Sequence, residues 1–572
     1  MFAHQRPTAL AVLLLISGGL SSLPAESTYD GSPEAVAQRI DAELAREMQV
    51  KTGGPLAADA TLLRRVSLDL VGRIPTPESL ARFALDTDPA KRGKLVDRLL
   101  DDPAYGKNWA RYWRDAILYR RTDEKALISN QSLTNYLQEA FNENFAWNDI
   151  ASAFITADGD VRENGATGLI MAQMGQPEET VGEVSRLFMG IQIQCAQCHD
   201  HPTDQWTREQ FHELAAFFPR VAVRPNRNMT DKQNRSFIVF ANDWRQPRRR
   251  KPNNNRRFPD LEHSMPDLED PLAAGTRMRP VFFLNAASLD YGTPDAERRE
   301  TLAQWITDET NPWFSTAIVN RIWSELVGRG FYEPVDDLGP DRDAVAPQTL
   351  EILRSAFVSS GHDLKWLLRT IMATQIYQRD SQTRAPTGQP TFAHFTPQRL
   401  RADQLFDALS VALNVDPSSQ QKFSGRATGK GATGKGATGK GGTGKGGNGK
   451  GDNGRGMRGP RAAFNKNFGY DPSDPRGEIT DSIPQALSLM NSPIINNLIS
   501  VRRRPELREL LFQHPQNGDL VYELYLRFLS REPTTAEENQ AVRYIQKVGN
   551  RAEACEDLIW VLISSTEFRH KS

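Results

Sequence analysis

Cysteine is scarce: Cys195, Cys198 and Cys555 are the only three in 572 residues. No framework of disulfides can hold such a chain, so it must rely on hydrophobic cores, and its length allows more than one. Neither sign of charge is in excess. With 70 Lys+Arg against 71 Asp+Glu, the formal net charge is -1, which removes any whole-molecule attraction to nucleic acid or to an anionic membrane. Long apolar runs are missing as well. The run Ala9–Ile16 falls far short of the ~20 residues that a spanning helix needs, and no later segment supplies them, so no transmembrane anchor is expected. Common catalytic signatures are also lacking. There is no G-x-S-x-G, and His212-Glu213 opens an H-E-x-x-H pattern that fails at Ala216. Gly429–Gly436 imitates a phosphate-binding loop, but Gly436 stands where a magnesium-binding hydroxyl is required and no hydrophobic strand precedes it.

What is present begins with an export signal. His4 and Arg6 precede Ala9–Ile16, and small and turn-forming residues follow as far as Pro24-Ala25. Residues 1–25 are expected to be a signal peptide cleaved near Ala25, which makes the protein exported, periplasmic or at the cell surface. An uncleaved anchor is the alternative, and no Cys follows the run to suggest a lipoprotein.

Apolar residues recur at helical spacing over most of the chain, so the expected fold is mainly α. Leu62, Leu63, Val66 and Leu70 form a face that Gly72 ends, and Thr76-Pro77-Glu78 then supplies an N-cap, a first-turn proline and a first-turn acid. Trp109, Tyr112, Trp113, Ala116 and Ile117 form an aromatic stripe read as core. Between Arg220 and Leu284 the pattern changes to short β-prone pieces. Two helical domains (30–219, and 293–423 with 461–572) are therefore expected around a β-containing or irregular connector (220–292) with a basic run, Arg245–Arg257. Ser424–Pro460 carries eight Lys/Arg against the single acid Asp452 and is rich in glycine. It reads as a disordered Gly/Lys-rich insertion, because such a segment cannot repay its ordering entropy.

One constellation carries chemistry: Cys195-Ala196-Gln197-Cys198-His199, continuing Asp200-His201-Pro202-Thr203-Asp204. C-x-x-C-H is the attachment pattern of c-type haem, in which two thiols add to the vinyl groups and the adjacent imidazole binds iron. Haem c on Cys195, Cys198 and His199 is thus one reading. The second is a zinc or copper site drawing on the cysteines with His199, His201 and Asp200 or Asp204. The third is a disulfide, structural or redox-active, and the fourth a pair of plain buried thiols. Thr180–Gly190 reads as a helix before the motif, and Thr207 with Gln210 as a capping box opening another through Phe218. His201 is too close to His199 to reach the opposite face of one iron. Met171, Met174, Met189 and His212 are candidate sixth ligands, each more simply explained by packing. Asp336-Asp337 is a candidate cation site or acid–base pair, with helix capping as the plainer reading. Cys555 reads as a buried small hydrophobe.

Three stretches, Leu68–Thr76, Tyr105–Trp113 and Cys195–Pro202, resemble the second planctomycete cytochrome-like domain, a family of unknown function. Asn311–Phe314, Val319–Trp323, Glu333–Gly339, Gly361–Lys365, Leu368–Ser381 and Leu558–Trp560 with Glu567-Phe568 resemble its usual companion, the first planctomycete-specific domain, also of unknown function. The resemblance implies an exported bacterial protein and carries over only Cys195, Cys198 and His199, as a candidate haem site. The resulting expectation is an exported redox or electron-transfer protein that meets a redox or envelope partner. The alternatives are an envelope protein binding polysaccharide through exposed Trp, with a metal or disulfide at the motif, and a hydrolase acting on extracellular polymer through Asp336 or Asp337.

Overall fold

The computed structural model describes residues 31–49, 55–228, 235–243, 261–270, 272–381, 392–415, 460–474, 479 and 482–572. The expected signal peptide (1–25), the basic run Arg245–Arg257 and the Gly/Lys-rich insertion up to residue 459 lie outside them.

The described chain is mainly α. Helices form where the sequence places their signals. Asp59–Val71 ends at Gly72, whose φ of 69° is the left-handed cap that glycine adopts without strain. A side chain there would also collide with Asn108, which donates to the carbonyls of Asp69 and Leu70 at 2.8 and 3.1 Å. Pro77–Leu85 starts on the Thr76 hydroxyl, which accepts from the Ser79 amide. Ala104–Leu118 buries the whole aromatic stripe, with Trp109 against Tyr112 and Tyr112 against Trp113 at 5.5 and 5.6 Å.

The strands are short and antiparallel. Phe237–Ala241 is the centre of a three-stranded sheet between Val221–Pro225 and Gly159–Asp160, with Val223 opposite Val239. Three two-stranded ladders complete the set. Two lie within the connector, and one pairs Gln398–Arg399 with the closing residues His570–Lys571.

The cores do not divide where the sequence changes character. One core runs from Val36 through the connector to Phe395, so the first helical region and the helices Asp295–Thr307, Pro312–Val327, Pro347–Ser359 and Leu364–Ala373 share a single interior. A second core joins Leu400–Val415 to the helices after Pro460, and it takes in Leu68 and Ile74 from the first region. The helix Asp59–Val71 therefore lies between the two cores and is buried all round from Leu62 to Val71. Its polar residues are paired across long sequence distances. Arg64 donates to the carbonyls of Phe528 and Phe568 at 3.0 and 3.1 Å, and Arg65 to that of Arg379 at 2.9 Å. Asp69 accepts from Tyr377 Oη at 2.7 Å and Lys571 Nζ at 2.5 Å.

Candidate functional site

The motif sits at a corner between two helices. The first, Pro177–Val184, does not continue regularly to Gly190 as its periodicity predicts. Its last turn, Ser185–Met189, widens to π geometry, and Gly190 ends it at φ 65°. A β-carbon on Gly190 would press on Leu338 Cδ1 at 2.8 Å, so glycine is required both by the turn and by the close packing. Ile193–Gln197 then forms a 3-10 turn. Cys195 lies within this turn and Cys198 caps its end. Both thiols are free and exposed, and so is His199. The reading of plain buried thiols fails for this pair. It holds for Cys555, whose burial pushes the thiol up to about 12.

The histidines and acids around the pair are individually committed. His199 Nδ1 lies 2.7 Å from the Asp200 carbonyl oxygen, which can only accept, so Nδ1 carries a proton. His201 Nδ1 accepts from the Thr203 amide at 3.3 Å. Asp200 accepts from the Arg208 amide at 2.9 Å, at the start of the helix Arg208–Ala215, and Asp204 accepts from the Gln205 amide at 2.7 Å. Among the described residues no three His, Cys, Asp or Glu side chains converge to hold a metal ion. The capping box of Thr207 and Gln210 is formed as expected, but its helix stops at Ala215 rather than Phe218.

The second half of the chain clasps this loop. Leu338 N donates to the Gly190 carbonyl at 2.7 Å, Gln205 Nε2 to Asp341 at 2.7 Å, and Arg342 reaches the Thr203 carbonyl and hydroxyl at 3.3 and 3.2 Å. Gly339 lies flush on Asp204: a β-carbon there would fall 1.4 Å from the carboxylate oxygen. Beneath, Arg186 of the π turn donates to Asp336 at 3.0 Å, to Ser473 Oγ at 2.7 Å, to the Ala116 carbonyl at 2.8 Å and to Glu183 at 2.6 Å. Gln192 donates to the other oxygen of Asp336 at 3.0 Å. Burial alone would raise the Asp336 carboxyl, but the Arg186 and then the Arg321 guanidinium hold it below its ordinary value. Asp336 and Asp337 therefore cap no helix, contrary to the plainer expectation. Asp336 is the centre of a buried ion network, and Asp337 pairs with Arg342 at 3.1 Å.

The candidate sixth ligands are elsewhere. Met171 and Met189 are core residues and Met174 packs against that core. His212 is buried below the motif, its Nε2 donating to the Gln197 carbonyl at 3.1 Å and its Nδ1 meeting His263 Nε2 at 2.9 Å. Burial and then the neighbouring His263 push the His212 imidazole down to about 4. The unfolded chain takes up this proton near 6.5, the folded chain only near 4. Its contribution to stability is therefore full above pH 6.5 and is lost as the pH falls toward 4, by about 3 kcal/mol at most. Urea midpoints measured across this range should fall more steeply for the parent than for His212→Gln. Equal slopes would show that His212 does not titrate as the geometry requires.

Residues 36–223 match the family PSCyt2, described as a protein of unknown function (DUF1549), and residues 298–545 match PSD1, described as a protein of unknown function (DUF1553). The chain carries a PSCyt2 domain followed by a PSD1 domain. No curated protein and no solved structure matches it. The PSCyt2 match ends just past the motif and its following helix, and the PSD1 match opens within Asp295–Thr307. In this PSCyt2–PSD1 protein the segments flanking the cysteine motif of the first domain pack against residues 336–342 of the second, far away in sequence.

Sequence reasoning missed Arg186, His263 and Gly339. Arg186 and His263 carry no motif, and their partners are visible only once the chain is folded. Gly339 belongs to a stretch that resembles the second family, and nothing local in it signals that it meets Asp204. The exposed Trp platform considered for polysaccharide is not formed by the described residues, where each Trp is buried or half-buried. Two cavities of about 270 and 540 Å3 lie away from the motif. The smaller contains Asp41, whose carboxyl burial raises to about 6.

Proposed function

We propose that this is an exported redox protein that carries c-type haem on Cys195 and Cys198, with His199 as the iron ligand. The observation that carries the reading is that an exposed turn and its cap carry two free thiols followed at once by an imidazole whose Nδ1 is held by the Asp200 carbonyl. This donor set fits the group: covalent attachment needs two accessible thiols, and a ligating histidine is ordinarily held by a hydrogen bond from its other nitrogen. Haem, when bound, would supply one-electron chemistry. The chain's own contribution is to hold the turn: His212 anchors the Gln197 carbonyl from below, and Gly190, Gly339 and Arg342 brace the loop against the second domain.

The non-haem metal alternative has less support, because Asp200, Asp204 and His201 are each engaged in fixing the loop. Expression with a haem-attachment system should give a Soret band that survives acid-acetone extraction, and Cys195→Ser/Cys198→Ser should abolish it. Protein that never acquires covalent haem, or that holds stoichiometric zinc or copper without iron, would overturn the proposal.

A further inference from the structure

The larger cavity, about 540 Å3, is walled by Val71, Arg73, Thr76, Lys107 and Arg111 of the first domain and by Asp407, Ser410 and Asn414 of the second. Two of the stretches that carry the resemblance, Leu68–Thr76 and Tyr105–Trp113, thus meet around a space to which the haem reading gives no role. Its size suits a small polar molecule.

Its electrostatics are unbalanced. Three cations line it against one carboxylate, and that carboxylate is already claimed: Asp407 receives Arg111 at 2.6 Å and pairs with Arg461 as well. Arg73 is held by Asp102 at 3.3 Å. Lys107 has no hydrogen-bond or ion-pair partner among the described residues. Burial, and then the nearby Arg111 guanidinium, hold its ammonium below its ordinary value, so an arriving anion would relieve a standing repulsion.

The polar lining is similarly divided. Asn108 is fully used, donating to two carbonyls and accepting from Arg401. Among the described residues the Asn414 carboxamide has no partner, offering both a donor and an acceptor, and Ser410, which donates to the Phe406 carbonyl at 2.9 Å, keeps an acceptor lone pair.

We infer that this cavity binds a small organic anion whose carboxylate, sulfate or phosphate group meets Lys107 beside Arg111, and whose hydroxylated body is read by Asn414 and Ser410. The charge supplies the attraction, and the amide and hydroxyl favour a sugar-like body over an apolar one.

The test is calorimetric titration of the full chain with glucuronate, glucose 6-sulfate, glucose 6-phosphate and, as the neutral control, glucose. Saturable binding of at least one anion and none of glucose is expected, and the ranking of the three identifies the head group. Lys107→Gln should weaken that binding roughly tenfold or more, since it removes a charge-assisted hydrogen bond. Asn414→Asp should weaken it too by repulsion, and aspartate tolerates the left-handed φ of 52° at this position. Both positions are exposed, so the variants should fold, as near-parental far-UV circular dichroism would confirm. Glucose binding as well as its anionic analogues, no saturable binding of any anion, or unchanged affinity in both variants would overturn the inference. The last result would place the affinity outside this cavity.

Discussion

Arg186→Ala is expected to lower the stability of the protein by about 3–5 kcal/mol, the range for removing one member of a buried charge network. The guanidinium is 3% exposed and faces Asp336, which is 1% exposed. It also neutralises Glu183 and donates to Ser473 and to the Ala116 carbonyl. Deleting it leaves a carboxylate in the interior with the Gln192 amide at 3.0 Å and, as the nearest charge, Arg321 at 3.7 Å to offset it. Chemical denaturation followed by circular dichroism and tryptophan fluorescence would measure the loss, and a change below about 1 kcal/mol would mean that water already reaches the network. Asp336→Asn keeps the shape and should cost less, because Glu183 still pairs with Arg186. This variant also bears on the hydrolase alternative: a measured hydrolytic activity that vanished in a stably folded Asp336→Asn would make the carboxylate catalytic rather than structural.

Trp147→Ala should be of similar size, about 3–5 kcal/mol, as for other fully buried aromatic residues cut to alanine. Trp147 starts the helix Trp147–Thr156 and packs between Trp113 at 4.6 Å and Phe188 at 5.8 Å, linking the aromatic helix to the π turn that carries Arg186. Its indole N–H is buried with no acceptor among the described residues. Trp147→Phe therefore removes some packing but also an unsatisfied donor, and should cost far less than the alanine change. Comparable losses in the two variants would show that the N–H is bonded. If the thiol turn depends on this packing, Trp147→Ala should also lower the yield of covalent haem in the attachment assay.

The motif and the proline and glycine signals at helix ends were legible in the sequence because they are local. A glycine past the last apolar residue, a threonine before a first-turn proline, or two cysteines followed by histidine act within a few residues of chain. The helix Asp59–Val71 shows where that legibility ends. Leu62, Leu63, Val66 and Leu70 read as a single apolar face, which would leave Arg64, Arg65 and Asp69 to solvent. In the fold these polar side chains are buried, since carbonyls and charges from Tyr377 through Lys571 reach them.

The candidate site divides in the same way. Its chemical identity, thiols with an imidazole, was written in five consecutive residues. The proton position on His199 is set just as locally, by the carbonyl of the next residue, Asp200, but the brace from Gly339 and Arg342 comes from about 140 positions along the chain. Mainly helical structure and the nature of the motif were thus settled by short-range periodicity and spacing. The course of the two cores, the burial of Asp336 and the charged cavity between the domains came from long-range packing, because burial and electrostatic environment are properties of neighbours in space, and linear order does not specify them.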